Sequence, residues 1–249
     1  MANMSGLGIE DAGPQLGRNL TYGMLDAIGR AIVVGDYDGA TFPTEAELAK
    51  QHGVSRSVTR EAVKMLTAKG LLSARPRQGT TVQPTTSWNL FDTDVLRWLL
   101  ERQFSIDLLR QFNELRVAIE PEAAALAARV ATADDIERVN AGLKRMERAE
   151  RGEDDTLESD IAFHIAVLRA SRNPFYAQFR DVVSTALRTS IRFTNRVKGR
   201  TANVADHAAV RDAIVAGNSD KARKAMRALI SDVLELIDTA NPDGAAPGR

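Results

Sequence analysis

The sequence contains no cysteine among its 249 residues. That absence excludes a disulfide framework, a thiolate nucleophile and a zinc finger built on cysteine ligands. No uninterrupted apolar run approaches the roughly 20 residues that a membrane-spanning helix needs. The N-terminal segment has neither a basic region nor an apolar core, so it lacks the features of a secretory signal. We therefore expect a cytoplasmic protein with no membrane partner.

Net charge is also absent, because 33 basic residues balance 33 acidic ones. The overall charge therefore indicates no polyanionic partner, but the charge is unevenly distributed along the chain. Between residues 50 and 77, seven basic residues accompany a single acid, Glu61. A compact basic patch of this kind is typical of a DNA-binding face.

The same stretch has the layout of a helix-turn-helix followed by a hairpin. A short helix that ends at Gly53 precedes a second helix, which begins at the N-cap candidate Ser55 and ends at Gly70. Two short β-compatible runs then flank residues 75–79, as in the wing of a winged helix. This order of elements predicts a winged helix-turn-helix, which binds double-stranded DNA.

The second helix is polar and basic at its N-terminal end, where it would face base edges in a major groove. Arg56 and Arg60 are the candidates for reading bases, since arginine to guanine is the commonest specific contact. The other candidates, which would contact phosphates or act through the wing, are Thr44, Ser55, Ser57, Thr59, Lys64 and Gly79. The spacing of the apolar residues predicts that the polar side chains of this helix, Thr59 among them, face outward.

The rest of the chain shows helical periodicity throughout and predicts six or seven helices with short connections, as in an antiparallel bundle. The fold class expected for the whole chain is mainly α. We place the DNA-binding domain at 18–84, a linker at 85–94 and the helical domain at 95–240. Residues 1–17 and 241–249 are expected to be disordered tails.

Four polar side chains interrupt the apolar stripes of the helical domain. His164 falls on the inward stripe of one helix with Asp160 one turn before it, so the two can converge on one ion or ligand. His207 and Arg116 also fall on inward stripes of their helices. Burying four such groups is costly unless they share a polar cavity. A structural role is the alternative for each residue alone, and Arg116 can simply pair with Glu120.

Short motifs along the chain are specific only when they are taken together. In the DNA-binding part they are Pro43 to Ala49, Gly53 to Arg56, Arg60 to Val63, Gly70-Leu71 and Gly79 to Val82. In the helical part they are Glu114 to Arg116, Glu120-Pro121, Asp160, Phe163-His164, Asn173-Pro174, His207 and Ala213-Ile214. As a set they resemble the GntR family of bacterial transcription regulators, in particular its FadR-like branch with an FCD effector domain.

The resemblance implies a homodimer that binds a near-palindromic operator and takes a small-molecule effector in the helical domain. It also implies a divalent metal such as Zn, Ni or Mn, held in the family by one Asp and three His. Asp160, His164 and His207 match three of these ligands, whereas Leu229 stands at the fourth position. A bound metal would need water or the effector to complete its shell. The competing interpretation is a metal-free pocket.

Ala46 stands where many members have a DNA-contacting Arg.

The segment from Trp88 to Trp98 resembles the linker of family members that respond to sugar acids. This implies a repressor of a sugar-acid (galactonate-like aldonate) catabolic operon, released from its operator by the effector. Arg116 would hold the carboxylate, because its planar fork can pair both oxygens. The other effector-binding residues that the resemblance implies are Asp160, His164, Asn195, Asn203 and His207.

Two alternatives remain open at this point. The same fold can respond to a small organic acid such as lactate or a dicarboxylate. A metal-dependent enzyme using Asp160, His164 and His207 is the less favoured alternative. The sequence shows no nucleophile and no carboxylate pair with a defined spacing, and an attached DNA-binding domain would have no purpose in an enzyme.

Overall fold

The computed structural model describes residues 13–75, 79–102, 105–197 and 203–240; within these ranges, the side chains of 13–19, 191–197 and 240 are excluded. The chain divides into two compact units, Met1–Arg102 and Gln103–Arg249. None of the helices in these ranges is long and apolar enough to cross a membrane.

The first unit combines a few helices with one small hairpin. Its helices are α1 (Gly13–Val34), α2 (Glu45–His52), α3 (Arg56–Ala68) and α4 (Thr93–Leu99), and its strands are β1 (Leu72–Arg75) and β2 (Gly79–Val82). The strands pair antiparallel, with Leu72 opposite Val82 and Arg75 opposite Gly79. A short 3₁₀ turn, Thr85–Ser87, follows the hairpin. The predicted winged helix-turn-helix and its wing are therefore confirmed.

Local capping explains where α2 and α3 begin. The Thr44 hydroxyl accepts a hydrogen bond from the Glu47 N–H, and the Glu47 carboxylate accepts one from the Thr44 N–H. This reciprocal capping box satisfies backbone donors that would otherwise lack partners. Gly53 closes α2 in the left-handed region with φ of 64°, which glycine adopts without strain. The Ser55 hydroxyl then accepts a hydrogen bond from the Val58 N–H and begins α3.

Two boundaries differ from those expected. Helix α1 begins at Gly13, so residues 13–17 are helical and do not form part of a tail; residues 1–12 and 241–249 lie outside the described residues. Helix α4 lies in the first unit although we assigned residues from 95 onward to the helical domain. Its Trp98 ring packs so closely on α1 that a Cβ at Gly29 would lie 2.2 Å from it. The bulky Trp98 therefore anchors α4 to the DNA-binding part of the chain.

The second unit is a helical bundle organised around its longest helix, α5. Its helices are α5 (Ile106–Val130), α6 (Ala133–Glu150), α7 (Thr156–Ala170), α8 (Pro174–Gln178), α9 (Arg180–Val197), α10 (Val204–Val215) and α11 (Ser219–Ala240). Helix α5 packs against α7, α9, α10 and α11. Its main core cluster includes Leu143, Met146, Phe163, Met226 and Ile230. The mainly α fold with a helical C-terminal bundle is confirmed.

Candidate DNA-binding surface and buried polar site

Three basic side chains of α3 share one exposed face. Arg56, Arg60 and Lys64 are four residues apart, which places them one above the other on a helix. Arg60 Nε lies 3.5 Å from Glu45 Oε2, and the Arg60 side chain stays 65% exposed. Lys64 Nζ lies 3.6 Å from Glu61 Oε2 and is equally open to solvent. Exposed pairs of this kind contribute little, so these side chains can turn to a DNA ligand at small cost.

The smaller polar residues of the predicted surface hold the local backbone. The hydroxyl of Thr44 caps α2 and that of Ser55 caps α3, while Ser57 Oγ lies 2.9 Å from Ser55 Oγ. All three residues are exposed beside the turn. Gly79 is exposed at the start of β2 with φ of +83°, a conformation that side-chain-bearing residues rarely adopt. The contacts of these residues with DNA remain predictions.

Thr59 does not face outward, and that prediction is wrong. Its side chain is fully buried, and its hydroxyl donates to the carbonyl oxygen of Ser55 at 3.2 Å. The buried face of α3 consists of Thr59, Ala62, Val63 and Leu66. The error arose because a threonine is polar enough to resemble a surface residue, yet its methyl group packs like that of valine once the hydroxyl bonds within the helix.

The second unit brings the four predicted polar side chains into one buried cluster. Helix α5 supplies Arg116, α7 supplies Asp160 and His164, and α10 supplies His207. The four are between 1% and 6% exposed. The i, i+4 spacing of Asp160 and His164 places both on the same side of α7, as expected. The prediction that these residues converge in one place is therefore confirmed.

Asp160 lies at the centre of the two histidines. Its Oδ1 atom is 3.0 Å from His207 Nε2 and 3.3 Å from His164 Nε2. One potential ligand atom from each of these three residues lies within 4.8 Å of the other two. Such a group of one carboxylate and two imidazoles has the composition of a transition-metal site.

The opposite edge of each imidazole is held by an oxygen acceptor. His207 Nδ1 lies 2.7 Å from the Asn203 carbonyl oxygen, and His164 Nδ1 bonds to Glu120 Oε2. We assign the Nδ1 proton from these acceptors, which leaves Nε2 of both rings facing Asp160. Histidines that ligate metals are usually oriented in this way by a carboxylate or a carbonyl. The residues present therefore fit a divalent metal with three protein ligands.

Arg116 also takes part in this cluster. Its Nε donates to Glu120 Oε1 at 2.6 Å, Nη1 donates to Asn113 Oδ1 at 3.3 Å, and Nη2 lies 3.4 Å from His164 Nε2. The alternative interpretation, a pair with Glu120, is thus observed together with the convergence. Glu120 was recognised only as a partner of Arg116, and Asn113 was missed. The position of Asn113 one turn before Arg116 was the available signal.

Burial and charge act in opposite directions on this cluster. Burial by itself would raise the pKa of Glu120, but the positive charges of Arg116 and His164 outweigh it and lower that pKa to about 2. Burial would likewise lower the pKa of His164, but the Glu120 charge and the hydrogen bonds that the ring donates to Asp160 and Glu120 raise it to about 9. Burial by itself would raise the pKa of Asp160, but the hydrogen bond that it accepts from His164 and its contact with Nε2 of His207 lower that pKa. At neutral pH the site therefore holds ionised carboxylates facing an imidazolium.

The remaining predicted residues differ in what the structure shows. Leu229 is half-buried and packs against the main core cluster of the bundle, so no fourth ligand is supplied there. The Asn203 side chain caps α10 by accepting from the Ala205 N–H at 3.0 Å. That role is structural and leaves any hydroxyl contact a prediction. The side chain of Asn195 lies outside the described residues.

Comparisons with known families match both parts of the chain. Residues 25–82 match the bacterial regulatory proteins of the gntR family, and residues 111–232 match the FCD domain. A solved structure of Escherichia coli McbR/YncC covers 89% of this chain and 98% of its own, with a TM-score of 0.51 and 16% identity. That likeness supports the fold alone.

Two curated relatives from Escherichia coli strain K12 cover most of the chain. The uncharacterized HTH-type transcriptional regulator YieP is 36% identical over 220 residues, which is 86% of this chain and 93% of that protein. The galactonate operon transcriptional repressor is 33% identical over 218 residues, or 86% and 94%. These relatives are regulators, so the enzyme alternative has no support. The chain is a DNA-binding transcription regulator that belongs to the GntR family and carries an FCD domain.

Proposed function

We propose that this regulator represses a sugar-acid catabolic operon and leaves its operator when an aldonate such as galactonate binds the helical unit. The observation that carries the proposal is the convergence of Arg116, Asp160, His164 and His207 in one buried cluster. A relative that is 33% identical over most of the chain is a galactonate operon repressor. An aldonate carries both a carboxylate and several hydroxyls, which suit a cluster with one guanidinium and one carboxylate.

Arg116 is the group that would hold the effector carboxylate. A guanidinium carries five N–H donors, and Arg116 uses one on Glu120 and one on Asn113. The remaining Nη donors could bind a carboxylate as a charge-assisted pair. Asp160 would accept hydrogen bonds from effector hydroxyls.

The same cluster would hold a divalent ion of the Zn, Ni or Mn type through Asp160, His164 and His207. Such an ion would add positive charge that binds effector oxygens, and water or the effector would complete its coordination shell. Glu120 would orient His164, and the Asn203 carbonyl would orient His207. Because His164 carries a proton at neutral pH, metal binding must displace that proton.

On the DNA side, the chain would act as a homodimer that places one α3 in the major groove of each half of a near-palindromic operator. Arg56 and Arg60 would read bases. The other exposed candidates would contact the DNA backbone; they are Thr44, Ser55, Ser57, Lys64 and Gly79. Effector binding makes the protein release DNA only if the effector binds more tightly to a conformation of the protein that fits the operator poorly.

Thermal unfolding with and without candidate effectors tests the ligand class. We expect D-galactonate to raise the midpoint of the wild type and to weaken operator binding in a gel-shift titration. Galactitol, which has the open-chain hydroxyls of galactonate without the carboxylate, is the matched control and should do neither. If galactonate neither stabilises the protein nor changes its affinity for the operator, galactonate is not the effector.

A short organic acid is the second candidate. A putative L-lactate dehydrogenase operon regulatory protein of Escherichia coli strain K12 is also 33% identical, covering 85% of this chain and 83% of that protein. L-lactate contains a carboxylate and one hydroxyl and could use the same arginine. A larger thermal shift with L-lactate or a dicarboxylate than with galactonate would favour this alternative.

Metal content is tested separately by elemental analysis of the purified protein. We expect about one equivalent of a divalent transition metal in the wild type, and little in Asp160→Asn or His207→Gln. Leu229→His would supply a third imidazole, and so a fourth protein ligand, near the position that the resemblance implies and should tighten metal binding. Equal metal content in the wild type and in Asp160→Asn would show that these three residues do not form the site.

A further inference from the structure

The segment after the wing lies against the C-terminal end of α3 and bonds to it. The Gln83 N–H donates to the Leu71 carbonyl at 2.9 Å, and the Asn89 N–H donates to the Lys69 carbonyl at 2.9 Å. Gly70 has φ of +77°, and a Cβ there would lie 2.1 Å from the Ser87 carbonyl oxygen. Such close approach requires glycine. The linker is therefore held to the end of the recognition helix by backbone contacts.

One ammonium group strengthens this attachment. Lys69 Nζ lies 2.7 Å from Asp92 Oδ1 and 2.8 Å from Asp94 Oδ2, and its side chain is 14% exposed. Asp92 also caps α4 by accepting from the Asp94 N–H at 3.0 Å and the Val95 N–H at 3.3 Å. Lys69 thus connects the last turn of α3 directly to the first turn of α4. Its shielding distinguishes it from Lys64, whose side chain is 67% exposed.

Arg97 and Trp98 connect α4 to α1. Arg97 Nη2 donates to Asp94 Oδ1 at 3.0 Å, and Arg97 Nη1 lies 2.7 Å from Asp26 Oδ1. Asp26 Oδ1 also accepts from Trp98 Nε1 at 2.8 Å. A continuous set of charged groups therefore connects α3 to α1 through α4. Any displacement of α4 must stretch or break these contacts or carry α3 with it.

We propose that Lys69 is a positioning residue that attaches α3, the helix expected to enter the major groove, to α4. Residues 83–99 then move with α3 as one body. This interpretation changes the role of the linker, because the segment 85–94 is then a rigid part of the first unit. An effector signal that displaced α4 would reach α3 through the ammonium of Lys69. The step from effector to α4 rests on the proposed function.

Operator affinity provides the first test, with an operator fragment selected from random DNA by the wild-type protein. We expect Lys69→Met to weaken binding about tenfold, the loss associated with a charge-assisted hydrogen bond. Lys69→Arg should recover most of the affinity. Lys144→Met, which removes a lysine side chain that is 70% exposed, is the matched control and should bind as the wild type does.

Asp94→Ala separates positioning from simple attraction to DNA. This change makes the protein more positive, so attraction alone would tighten DNA binding. Our proposal requires that Asp94→Ala bind the operator more weakly than the wild type. It also requires that the double variant bind no more weakly than Lys69→Met alone. Asp107→Ala, also in the first turn of an α-helix, is the control acid. Tighter or unchanged binding by Asp94→Ala would overturn the proposal, and this result decides the matter if Lys69→Met does not fold.

The dependence of operator affinity on salt provides an independent measurement. If Lys69 acts within the protein, the slope of log affinity against log salt stays the same in Lys69→Met. A slope that falls by about one would identify Lys69 as a phosphate contact and contradict the positioning role. The D-galactonate response is measured last and should shrink in Lys69→Met. If the wild type itself does not respond, the effector assignment fails, while the affinity and salt results still decide the role of Lys69.

Discussion

Two arginine–glutamate pairs, one in each unit, show how burial changes the use of the same chemistry. Arg60 and Glu45 lie 3.5 Å apart, with side chains 65% and 36% exposed. Arg116 and Glu120 lie 2.6 Å apart and are 2% and 1% exposed. Water solvates the first pair well even when it separates, whereas separation of the second leaves two charges in the protein interior.

The difference suits the two units to different ligands. Arg60 can exchange its partner for a base or a phosphate with little loss, so we expect the surface of α3 to bind DNA without reorganisation. Arg116 already donates to Glu120 and Asn113, and its Nη2 atom lies 3.4 Å from His164 Nε2. A ligand of the buried cluster must add to these contacts or replace some of them. In our proposal such replacement is the source of the conformational response, because it changes the forces on α5 and α7 at once.

The largest expected contrast comes from removing one arginine from each pair. Arg116→Met leaves Glu120 buried and less fully paired, and we expect it to cost about 3–5 kcal/mol of unfolding free energy. Arg60→Met should change stability by less than about 0.5 kcal/mol. Both tryptophans, Trp88 and Trp98, lie in the first unit, so their fluorescence follows that unit during urea unfolding. Circular dichroism at 222 nm follows mainly the larger helical unit.

We therefore expect Arg116→Met to lower the circular dichroism midpoint and to leave the tryptophan midpoint nearly unchanged. Glu120→Gln, which keeps one hydrogen-bonding oxygen, is the milder companion variant. Equal shifts in both signals would mean that the two units unfold together. Equal effects of Arg116→Met and Arg60→Met would contradict the contrast in burial.

The opposite contrast is expected in DNA binding. Arg56→Ala and Arg60→Ala should each weaken operator binding by about 1–3 kcal/mol, the range for a lost base contact. Neither should move the unfolding midpoint by much, because both side chains are exposed. Fluorescence anisotropy with a labelled operator measures the affinity. Loss of operator binding together with loss of effector binding would indicate misfolding instead of a lost contact.

The stability of the second unit is expected to depend on pH through its buried cluster. The pKa of His164 rises from 6.5 to about 9 on folding, so its stabilising contribution is complete below pH 6.5. That contribution is lost as the pH rises through about 9. The lowered pKa values of Glu120 and Asp160 act at the other end, where stability is lost as acid protonates them. The metal-free helical unit should therefore be most stable above the pH at which these carboxylates are protonated and below about pH 6.5, and it should lose stability as the pH rises through about 9.

Urea titrations at pH 7 and pH 9.5 in the presence of a chelator measure this effect. The circular dichroism midpoint should fall at the higher pH in the wild type and change less in His164→Gln, which cannot titrate. A midpoint that is equal at both values would show that His164 is neutral in the folded protein. It would also remove the expected competition between protons and metal at this residue.

Much of the architecture could be predicted because local rules dominate it. The capping box at Thr44, the N-cap at Ser55 and the glycine that closes α2 specify the helix-turn-helix from adjacent residues. Helical spacing also placed Asp160 and His164 on one inward face. These features depend on residues within one or two turns of each other, which is the range that sequence patterns describe well.

Features that depend on distant residues were not accessible in the same way. Trp98 packs on Gly29 and bonds to Asp26, partners about seventy positions earlier, so nothing local assigned α4 to the first unit. The second oxygen of Glu120 bonds to His164, 44 positions away. Side-chain spacing along one helix predicts which residues share a face, but tertiary packing decides which two faces meet.

The smallest expected effect concerns Thr59, where the periodicity was misjudged. Thr59→Val keeps the shape of the buried side chain and removes one hydrogen bond to the Ser55 carbonyl, so stability should fall by about 1 kcal/mol or less. Operator affinity should stay within about twofold of the wild type, because the hydroxyl does not reach the surface. Ser57→Ala, two residues earlier on the exposed face, should weaken operator binding more than Thr59→Val does. The reverse order, measured by anisotropy on the same DNA fragment, would mean that α3 presents a different face to DNA, and the assignments of Arg56 and Arg60 would then fail with it.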